Sequence, residues 1–341
     1  MISFPKLVNK KGKQRFFVFE LTTFCNHNCI YCYNVWKFNK YPRGSLDINS
    51  WKKIVSKLKD ETSLNTISLS GGEPLFYPQI FQLISFIKKQ GINVNLLTNG
   101  SNVDEKIAKR LVDLGIDIFE VSFVAPNEKM HKKLKGTNDF EKVVRGILNI
   151  NSAGGKMITV FVATKENIGY LKETMDLAIA LGSQGLMFNR INPASKEQIV
   201  LMPSIQEIKK ALALLNKFSK KFSYPISSSI PIQPCLIDMK NYPFISAGFC
   251  PSGNDNSYYT IDSVGNIRFC NHSPTILGNI LNDSFSDIVA RDKTLELIEA
   301  VPSYCLSCKR SKKCFGGCKA SAQVCLGSLT ACDPFLEANR R

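Results

Sequence analysis

The chain has 341 residues, of which 44% are hydrophobic and 21% charged, and its formal net charge at pH 7 is +16. This length allows one large domain and a smaller one, and the composition is typical of a globular protein. No stretch approaches the roughly 20 apolar residues of a membrane span, and the N-terminus lacks the apolar core of a signal peptide. We therefore predict a cytoplasmic protein with no membrane partner, in which twelve cysteines indicate metal binding rather than disulfides.

The positive charge is carried by lysines that are scattered singly and in pairs along predicted helices. There is no long basic run and no basic–aromatic motif of the kind that nucleic-acid-binding proteins use. The charge pattern therefore predicts a lysine-rich surface and no nucleic-acid partner. A basic exterior would also suit an acidic peptide or cofactor.

Apolar runs alternate with amphipathic helices through the first two thirds of the chain. Trp51, Val55 and Leu58, for example, fall on one face of a predicted helix. Strands are predicted near residues 16–22, 65–70, 92–98, 117–124, 157–164 and 185–191. This alternation favours an α/β fold with a parallel sheet and right-handed crossovers. Six units rather than eight predict an open, partial (β/α)6 TIM-like barrel.

Three cysteines lie within eight residues directly after the first predicted strand. Cys25, Cys29 and Cys32 have the spacing C-x3-C-x2-C. Thiolates this close in sequence can hold one iron–sulfur cube, but a four-iron cube has a fourth corner that this loop does not supply. An open metal position is where chemistry occurs, as in catalytic zinc sites. A zinc site or buried structural cysteines are the alternatives.

With the aromatic Tyr31 before its third cysteine, this loop resembles that of the radical SAM superfamily. The resemblance implies that S-adenosylmethionine (SAM) chelates the open iron and is cleaved reductively to a 5'-deoxyadenosyl radical. Gly71-Gly72-Glu73-Pro74 is similar to the superfamily motif that holds the methionine amino group. That role is thereby implied for Gly71, Gly72 and Glu73. Adjacent glycines permit positive φ and a close backbone approach.

Polar residues also follow the later predicted strands. They are Thr98, Asn99, Ser122, Thr164, Asn189 and Arg190. Because the carboxyl ends of parallel strands share one rim, these residues predict a single site. The resemblance implies that Ser122 contacts the methionine carboxylate or the ribose, and that Asn189 and Arg190 border the cofactor. A salt bridge is the alternative for Arg190, and His131 is interpreted as a structural helix histidine.

The composition changes after residue 222, where a proline- and serine-rich stretch, 224–234, breaks helix continuation. We therefore predict a radical SAM core over residues 1–222, a linker over 223–249 and a cysteine-rich domain over 250–341. Within that last domain we expect a hairpin of Tyr258–Ile261 and Ile267–Phe269, and one helix near 284–299.

The C-terminal domain holds a second cysteine series. Its members are Cys250, Cys270, Cys305, Cys308, Cys314, Cys318 and Cys332. A C-x2-C pair alone could bind zinc. The whole set resembles the SPASM domain, which implies two auxiliary four-iron clusters. The implied outer set is Cys305, Cys308, Cys314 and Cys332, and the implied inner set is Cys250, Cys270 and Cys318.

Three further residues are candidates for a role in this domain. Cys235 is the candidate for the fourth ligand of the inner cluster. The alternative is that this cluster has no fourth protein ligand and keeps that position open for substrate. Cys325 matches nothing in the pattern and is either a buried structural thiol or a hydrogen-atom donor. His272 lies two residues after Cys270. Three roles are considered for it: a base, a hydrogen-bond donor to the cluster, or a histidine in a surface turn.

The leading hypothesis is a radical SAM/SPASM enzyme with three [4Fe-4S] clusters and SAM as cofactors. Its expected substrate is a ribosomally made precursor peptide, which would gain a crosslink, thioether, oxidation or epimerisation. One alternative is a dehydrogenase or tailoring enzyme acting on a small molecule in an antibiotic or tetrapyrrole pathway. A zinc-ribbon nucleic-acid binder and a non-catalytic iron–sulfur carrier are the others.

The resemblance also implies partners. Reduction of the first cluster requires an electron donor of the flavodoxin or ferredoxin type. Only 24 residues precede Cys25, too few for a fused leader-binding module, so we expect a separate leader-binding protein or recognition by the barrel itself. Asn271 and His272 follow Cys270 where sulfatase-maturing relatives place an Asp, which argues against that activity.

Overall fold

The computed structural model describes residues 16–37, 41–250 and 257–339, and its strands form one eleven-stranded sheet. The strands are β1 (Phe16–Glu20), β2 (Thr66–Ser70), β3 (Asn93–Thr98), β4 (Ile118–Ser122), β5 (Met157–Ala163), β6 (Leu186–Arg190), β7 (Ile226–Ser228), β8 (Ile245–Ala247), β9 (Tyr259–Ile261), β10 (Asn266–Arg268) and β11 (Ile276–Asn279). The helices are α1 (Ile48–Glu61), α2 (Ile80–Lys89), α3 (Glu105–Asp113), α4 (Glu128–Lys135), α5 (Phe140–Ser152), α6 (Leu171–Ala180), α7 (Ile205–Phe222), α8 (Phe285–Val289), α9 (Asp292–Glu299), α10 (Ser311–Cys314), α11 (Lys319–Leu326) and α12 (Pro334–Asn339). No helix in these described ranges is long and apolar enough to span a membrane.

Strands β1 to β8 are parallel, and each pairs with the next strand along the chain. Helices α1 to α7 lie in the crossovers between β1 and β7. The predicted α/β fold with a parallel sheet is therefore confirmed, and the six predicted strands are β1 to β6. The carboxyl ends of these strands lie at one rim, where their following loops meet.

The core lies between the sheet and the crossover helices. Trp51, Val55 and Leu58 of α1 are fully buried, as their helical spacing predicts. Trp51 stacks on Phe19 of β1 with ring centroids 4.9 Å apart. Burying one large apolar side chain contributes roughly 1.5–3 kcal/mol, so this packing firmly fixes the strand that leads into the cysteine loop.

Strands β7 and β8 arise in residues 223–249, the segment interpreted as a linker from its composition. Helix α7 ends at Phe222, where the composition changes. Ile226 and Ile245, one in each strand, are buried in the core. Pro225 has no N–H to donate, but its carbonyl accepts a hydrogen bond from Leu186 N at 2.9 Å, so the sheet continues past the proline.

The C-terminal region joins the same sheet. β9 pairs in parallel with β1, and β9 and β10 form the antiparallel hairpin that the sequence predicts. Gly265 in its turn has φ +87°, a conformation that glycine adopts without strain. Arg268 of β10 forms a buried ion pair with Glu20 of β1. The strands that lead into the two cysteine series therefore belong to one continuous sheet.

The single helix predicted near 284–299 is wrong. Two short helices, α8 and α9, are separated at Arg291, whose φ −67° and ψ 145° are extended. The Arg291 guanidinium donates a hydrogen bond to Leu277 O at 2.9 Å and pairs with Asp283 at 2.9 Å. These contacts with β11 and its following turn hold the break, and apolar periodicity carries no signal for them.

Candidate functional site

The N-terminal cysteine loop lies just beyond the carboxyl end of β1. Cys25, Cys29 and Cys32 are partly buried, and their thiols are within electrostatic range of one another. Burial raises the pKa of Cys32 to about 11. The free thiol is therefore protonated at neutral pH, and metal binding must displace that proton.

The glycine pair after β2 contacts the segment that leads from β1 into the cysteine loop. Gly72 N donates to Thr22 O at 2.7 Å, and Glu73 N donates to Phe24 O at 2.8 Å. Gly71 has φ +134°, which excludes most other residues. The two glycines are thus required for close contact between the loops, and the N–H groups of Gly72 and Glu73 are already bonded to protein carbonyls.

We expect Gly72→Ala to displace the cysteine loop. An added Cβ would stand 2.0 Å from the Phe24 carbonyl oxygen, which is backbone and cannot rotate away. After anaerobic reconstitution, the variant should lack the iron of the cluster predicted for the cysteine loop. Its free energy of unfolding should drop by about 1–3 kcal/mol. Gly169→Ala is the matched control, since its Cβ would meet nothing within 4 Å. Equal iron uptake by the two variants would contradict this.

Glu73 is buried and lies against the end of β3. Its Oε1 accepts from Thr98 Oγ1 at 2.8 Å and Leu75 N at 3.3 Å, and its Oε2 accepts from Asn99 N at 2.8 Å. An ionised carboxylate has about four acceptor positions, so one remains on Oε2 for a ligand ammonium. Burial raises the pKa of Glu73 to about 6. The carboxylate is therefore ionised at neutral pH.

Tyr31 and Ser122, both predicted site residues, contact each other at the end of β4. The Tyr31 hydroxyl lies 3.3 Å from Ser122 Oγ. Lys135, which sequence reasoning missed, donates to Ser122 O at 2.7 Å and is fully buried. Its ammonium is within electrostatic range of Cys29 and Glu73. Burial lowers the pKa of Lys135.

Helix α4 binds the cysteine loop through its last turn. Asn28 N donates to Lys135 O and Ile30 N donates to Leu134 O, both at 2.9 Å. Gly136 ends the helix with φ +71°, as glycine commonly does. These contacts place Lys135 beside the cysteine loop.

A hydrogen-bonded clasp holds the middle of the cysteine loop. His27 Nε2 lies 2.7 Å from one carboxylate oxygen of Asp139, and His131 Nε2 lies 2.9 Å from the other. Burial, followed by the charge of Lys135, lowers the pKa of His27 to about 4. Both imidazoles are therefore neutral donors, and the nearby ammonium opposes a bound cation. His131 is structural, in line with its interpretation from the sequence.

Asp139→Ala is expected to release the clasp, because two buried imidazoles lose their acceptor. Leaving a buried donor unpaired costs about 1–3 kcal/mol, which should appear as a lower free energy of unfolding in urea. The iron–sulfur cluster predicted for the cysteine loop should also become more labile towards chelators. Asp113→Ala removes an exposed i,i+4 partner of Lys109 and should change neither property. Equal effects of the two substitutions would rule out the clasp.

Asn189 and Arg190 at the end of β6 are bonded within the protein. Asn189 Oδ1 accepts from Ser229 N at 2.8 Å. The Arg190 guanidinium donates to Pro231 O at 3.0 and 3.1 Å and pairs with Asp333 at 2.5 Å, with both side chains buried. Of the two roles considered for Arg190, the salt bridge is the one observed. The expectation that these two side chains border the cofactor stays a prediction, since the groups bonded here are the Asn189 amide oxygen and the Arg190 guanidinium.

The auxiliary cysteines fall into two groups in space. The thiols of Cys250, Cys270 and Cys318 are within electrostatic range of one another. Burial is the main cause that raises the pKa of Cys270 to about 12. The outer group consists of Cys305, Cys308, Cys314 and Cys332. The assignment of these two groups to an inner and an outer cluster stays a prediction.

Cys235 lies with the outer group, which corrects its expected place as the inner set's fourth ligand. Its thiol is within electrostatic range of Cys308, Cys305 and Cys314. The neighbouring Leu236 packs on Cys305 and Cys332. Cysteine spacing carries no signal for this placement, because Cys235 stands outside the cysteine pattern.

Cys325 and His272 have distinct surroundings. Cys325 is fully buried, and its thiol donates to the carbonyls of Pro193 and Ser195 at 3.5 and 3.4 Å, as expected of a structural thiol. His272 stacks on Tyr33 with ring centroids 4.2 Å apart. Asn192 Nδ2 lies 3.0 Å from His272 Nδ1 and 3.1 Å from Cys318 Sγ. His272 is therefore a half-buried turn residue that lies between the N-terminal loop and the inner cysteines.

The donor spacing tests which metal group would fit. In the described part of the chain, the only His, Cys, Asp and Glu side chains with three ligand atoms mutually within 4.8 Å are His27, His131 and Asp139. A mononuclear zinc ion holds sulfur at about 2.3 Å and would need a tighter cysteine group. The wider cysteine sets fit a multi-iron cube, whose corners are spread over several irons.

Two family models match the chain. Residues 19–178 match the radical SAM superfamily, and residues 250–315 match SPASM, an iron–sulfur cluster-binding domain. An AdoMet-dependent heme synthase of Methanosarcina barkeri is 24% identical over 339 residues, covering 94% of this chain and 95% of that protein. The mycofactocin maturase MftC of Mycobacterium tuberculosis is 26% identical over 321 residues, covering 89% of this chain and 77% of that protein.

Solved structures show the same fold. A structure of anSMEcpe with bound AdoMet gives a TM-score of 0.75 at 18% identity and covers 95% of this chain and 91% of its own. A structure of Streptococcus suis SuiB bound to the precursor peptide SuiA gives a TM-score of 0.72 at 17% identity, and it covers 94% of this chain and 75% of its own. With both domain matches, SAM and iron–sulfur chemistry are the cofactor chemistry of this chain. Residues 19–178 are a radical SAM domain and residues 250–315 are a SPASM domain, and the chain is accordingly a radical SAM enzyme.

Proposed function

We propose that this enzyme binds a SAM-chelating [4Fe-4S] cluster through Cys25, Cys29 and Cys32 and modifies a ribosomally made precursor peptide by hydrogen abstraction. The observation that carries the proposal is the meeting of these three thiols with a buried carboxylate and a buried ammonium at one rim. SAM bound there would supply the 5'-deoxyadenosyl radical. This chain's own residues bind and orient it and exclude water.

The charged side chains around the cysteines suit the amino-acid end of SAM. Glu73 retains one acceptor position for the ammonium group, and the Lys135 ammonium is placed to attract the carboxylate. Ser122, held between Tyr31 and Lys135, would contact the same end of the ligand. Asn189 and Arg190 are kept as predicted neighbours of the cofactor, with no direct contact assigned to the Arg190 guanidinium.

Lys135→Met should weaken SAM binding by about tenfold, equivalent to roughly 1.4 kcal/mol. The substitution removes a buried charge but keeps an unbranched apolar side chain of similar length. Equilibrium binding of SAM to the reconstituted protein measures this. Lys132→Met, on the same helix but exposed, should leave the affinity unchanged. Identical affinities in the two variants would remove Lys135 from the site.

We further propose two auxiliary [4Fe-4S] clusters, for three in all. The inner one would use Cys250, Cys270 and Cys318, and the outer one would use Cys305, Cys308, Cys314 and Cys332. We place the radical SAM core in residues 1–222, a joining segment in 223–249 and the auxiliary domain in 250–341. The division of the thiols into two spatial groups supports this arrangement.

The peptide substrate is supported by the relatives. MftC is a maturase, and SuiB is seen bound to a precursor peptide. A net charge of +16 favours a peptide of acidic character. A flavodoxin- or ferredoxin-type donor would supply electrons, and a separate protein or the barrel itself would recognise the leader.

A tetrapyrrole substrate is the second candidate. The heme synthase relative aligns over nearly the whole of both chains, more than the MftC alignment does. Tetrapyrrole carboxylates would also suit a basic protein.

One experiment separates these candidates. Anaerobic, reconstituted enzyme is incubated with SAM, dithionite and either the peptides encoded beside its gene or carboxylated tetrapyrroles. The peptide substrate is supported by formation of 5'-deoxyadenosine together with either of two changes in the peptide. The first is a mass decrease of two, and the second is uptake of deuterium from D2O with no mass change in H2O. Loss of carboxyl groups from the tetrapyrrole supports the second candidate, and no deoxyadenosine with either substrate would overturn both.

A further inference from the structure

Twelve cysteines form three groups and leave one apart. Three lie in the N-terminal loop, three in the inner auxiliary set, five around the outer set, and Cys325 is bonded elsewhere. A four-iron cube takes four thiolates. The outer site therefore has one thiol more than its cluster can use.

The five outer thiols differ in exposure. Cys305, Cys314 and Cys332 are buried, whereas Cys235 and Cys308 are exposed. The two exposed thiols are also within electrostatic range of each other. The buried three are thus the fixed part of the site, and the exposed pair lies together at its solvent side.

Several contacts hold the turn that carries Cys235 against this site. Leu236 N and Ile237 N both donate to Gln233 O at 3.0 Å, which closes the turn. Leu236 packs on Cys305 and Cys332. Cys235 is therefore fixed beside the outer group by its own neighbours.

Arg190 connects this turn to the chain segment that carries Cys332. Its guanidinium donates to Pro231 O, two residues before Gln233, and pairs with Asp333, the residue after Cys332. Both partners are buried, so the two segments are held at a constant separation. The position of Cys235 is thus built into the fold rather than left to a free loop.

Gln233 adds an independent sign of a ligand. It is fully buried, and neither its amide nitrogen nor its amide oxygen has a partner in the described part of the chain. Its Nε2 lies 2.0 Å from where a Cβ of Gly317 would stand, between Cys314 and Cys318. Buried amides without partners are costly, and a cluster sulfur would accept from this one.

We propose that Cys235 and Cys308 are interchangeable ligands to the fourth iron of the outer cluster, with Cys305, Cys314 and Cys332 as its permanent ligands. This inference rests on the outer cluster of the proposed function. Exchange replaces one iron–thiolate bond with another and moves one proton from the incoming thiol to the outgoing thiolate. No oxidant or reductant is needed.

The test compares Cys235→Ala, Cys308→Ala and the double variant of the full chain after anaerobic reconstitution. Iron per chain is measured after mild oxidation and gel filtration, since a cube corner without a thiolate loses its iron. Wild type and both single variants should retain equal iron, and the double variant should retain about one to four irons fewer. A [3Fe-4S] electron paramagnetic resonance signal should increase in the double variant only.

Cys332→Ala is the control for a permanent ligand and should lose iron as a single change. Two measurements show whether each variant is folded. Its unfolding midpoint is compared with that of wild type, and its N-terminal cluster is assayed for SAM cleavage. An iron loss in Cys308→Ala as large as in the double variant would overturn the proposal, as would full iron in the double variant. Absence of the proposed outer cluster is distinguishable from failure of this inference, because Cys332→Ala would then lose no iron.

Discussion

Replacing Cys29 by alanine is expected to abolish reductive SAM cleavage, reducing 5'-deoxyadenosine formation under dithionite to the background of the cluster-free protein. Two thiolates then remain for a cube that the loop otherwise holds by three. The same result is expected for Cys25→Ala and Cys32→Ala, because each supplies one corner. Iron content should fall by about one cluster in each variant, and the auxiliary clusters should remain.

Two matched substitutions test whether this loss is specific to the N-terminal loop. Cys325→Ala removes a buried thiol that contacts only carbonyls and a serine, so cleavage should persist. Cys270→Ala removes an inner auxiliary thiol, so cleavage should persist while conversion of substrate stops. Continued cleavage by Cys29→Ala would contradict the proposed role of the loop. Full substrate turnover by Cys270→Ala would remove the inner cluster from the reaction.

The parallel sheet and its rim could be predicted because their signals are local. Apolar strands and helical faces such as Trp51, Val55 and Leu58 repeat with the period of their element. The position of loops at one rim then follows from parallel topology alone. Cysteine spacing is a local signal of the same kind, since ligands to one cluster are often close in sequence.

Side chains that complete the site from distant segments were not predictable in this way. Lys135 is one of four lysines in α4, and only the packing of the helix end on the cysteine loop distinguishes it. Asp139 joins His27 across 112 residues. Cys235 lies outside the cysteine pattern, and its place depends on contacts made by Arg190 and Leu236. Such contacts are set by tertiary packing.

The Arg190 salt bridge shows how the barrel and the auxiliary region depend on each other. Arg190 ends β6, and its guanidinium also lies over the ring of Phe335 with 4.9 Å to the centroid. Asp333 Oδ2 accepts from Cys318 N at 2.8 Å as well. One buried ion pair therefore positions an inner cysteine and the turn that carries Cys235.

Arg190→Met is accordingly expected to lower the free energy of unfolding by about 3–5 kcal/mol, because it leaves the buried Asp333 carboxylate without its partner. Urea unfolding followed by circular dichroism measures the change. The double variant Arg190→Met/Asp333→Asn removes both charges and should recover part of the loss. Iron bound by the auxiliary clusters should fall in the single variant while the N-terminal cluster is retained. A loss below about 1 kcal/mol, the range of exposed ion pairs, would show that this bridge does not hold the two regions together.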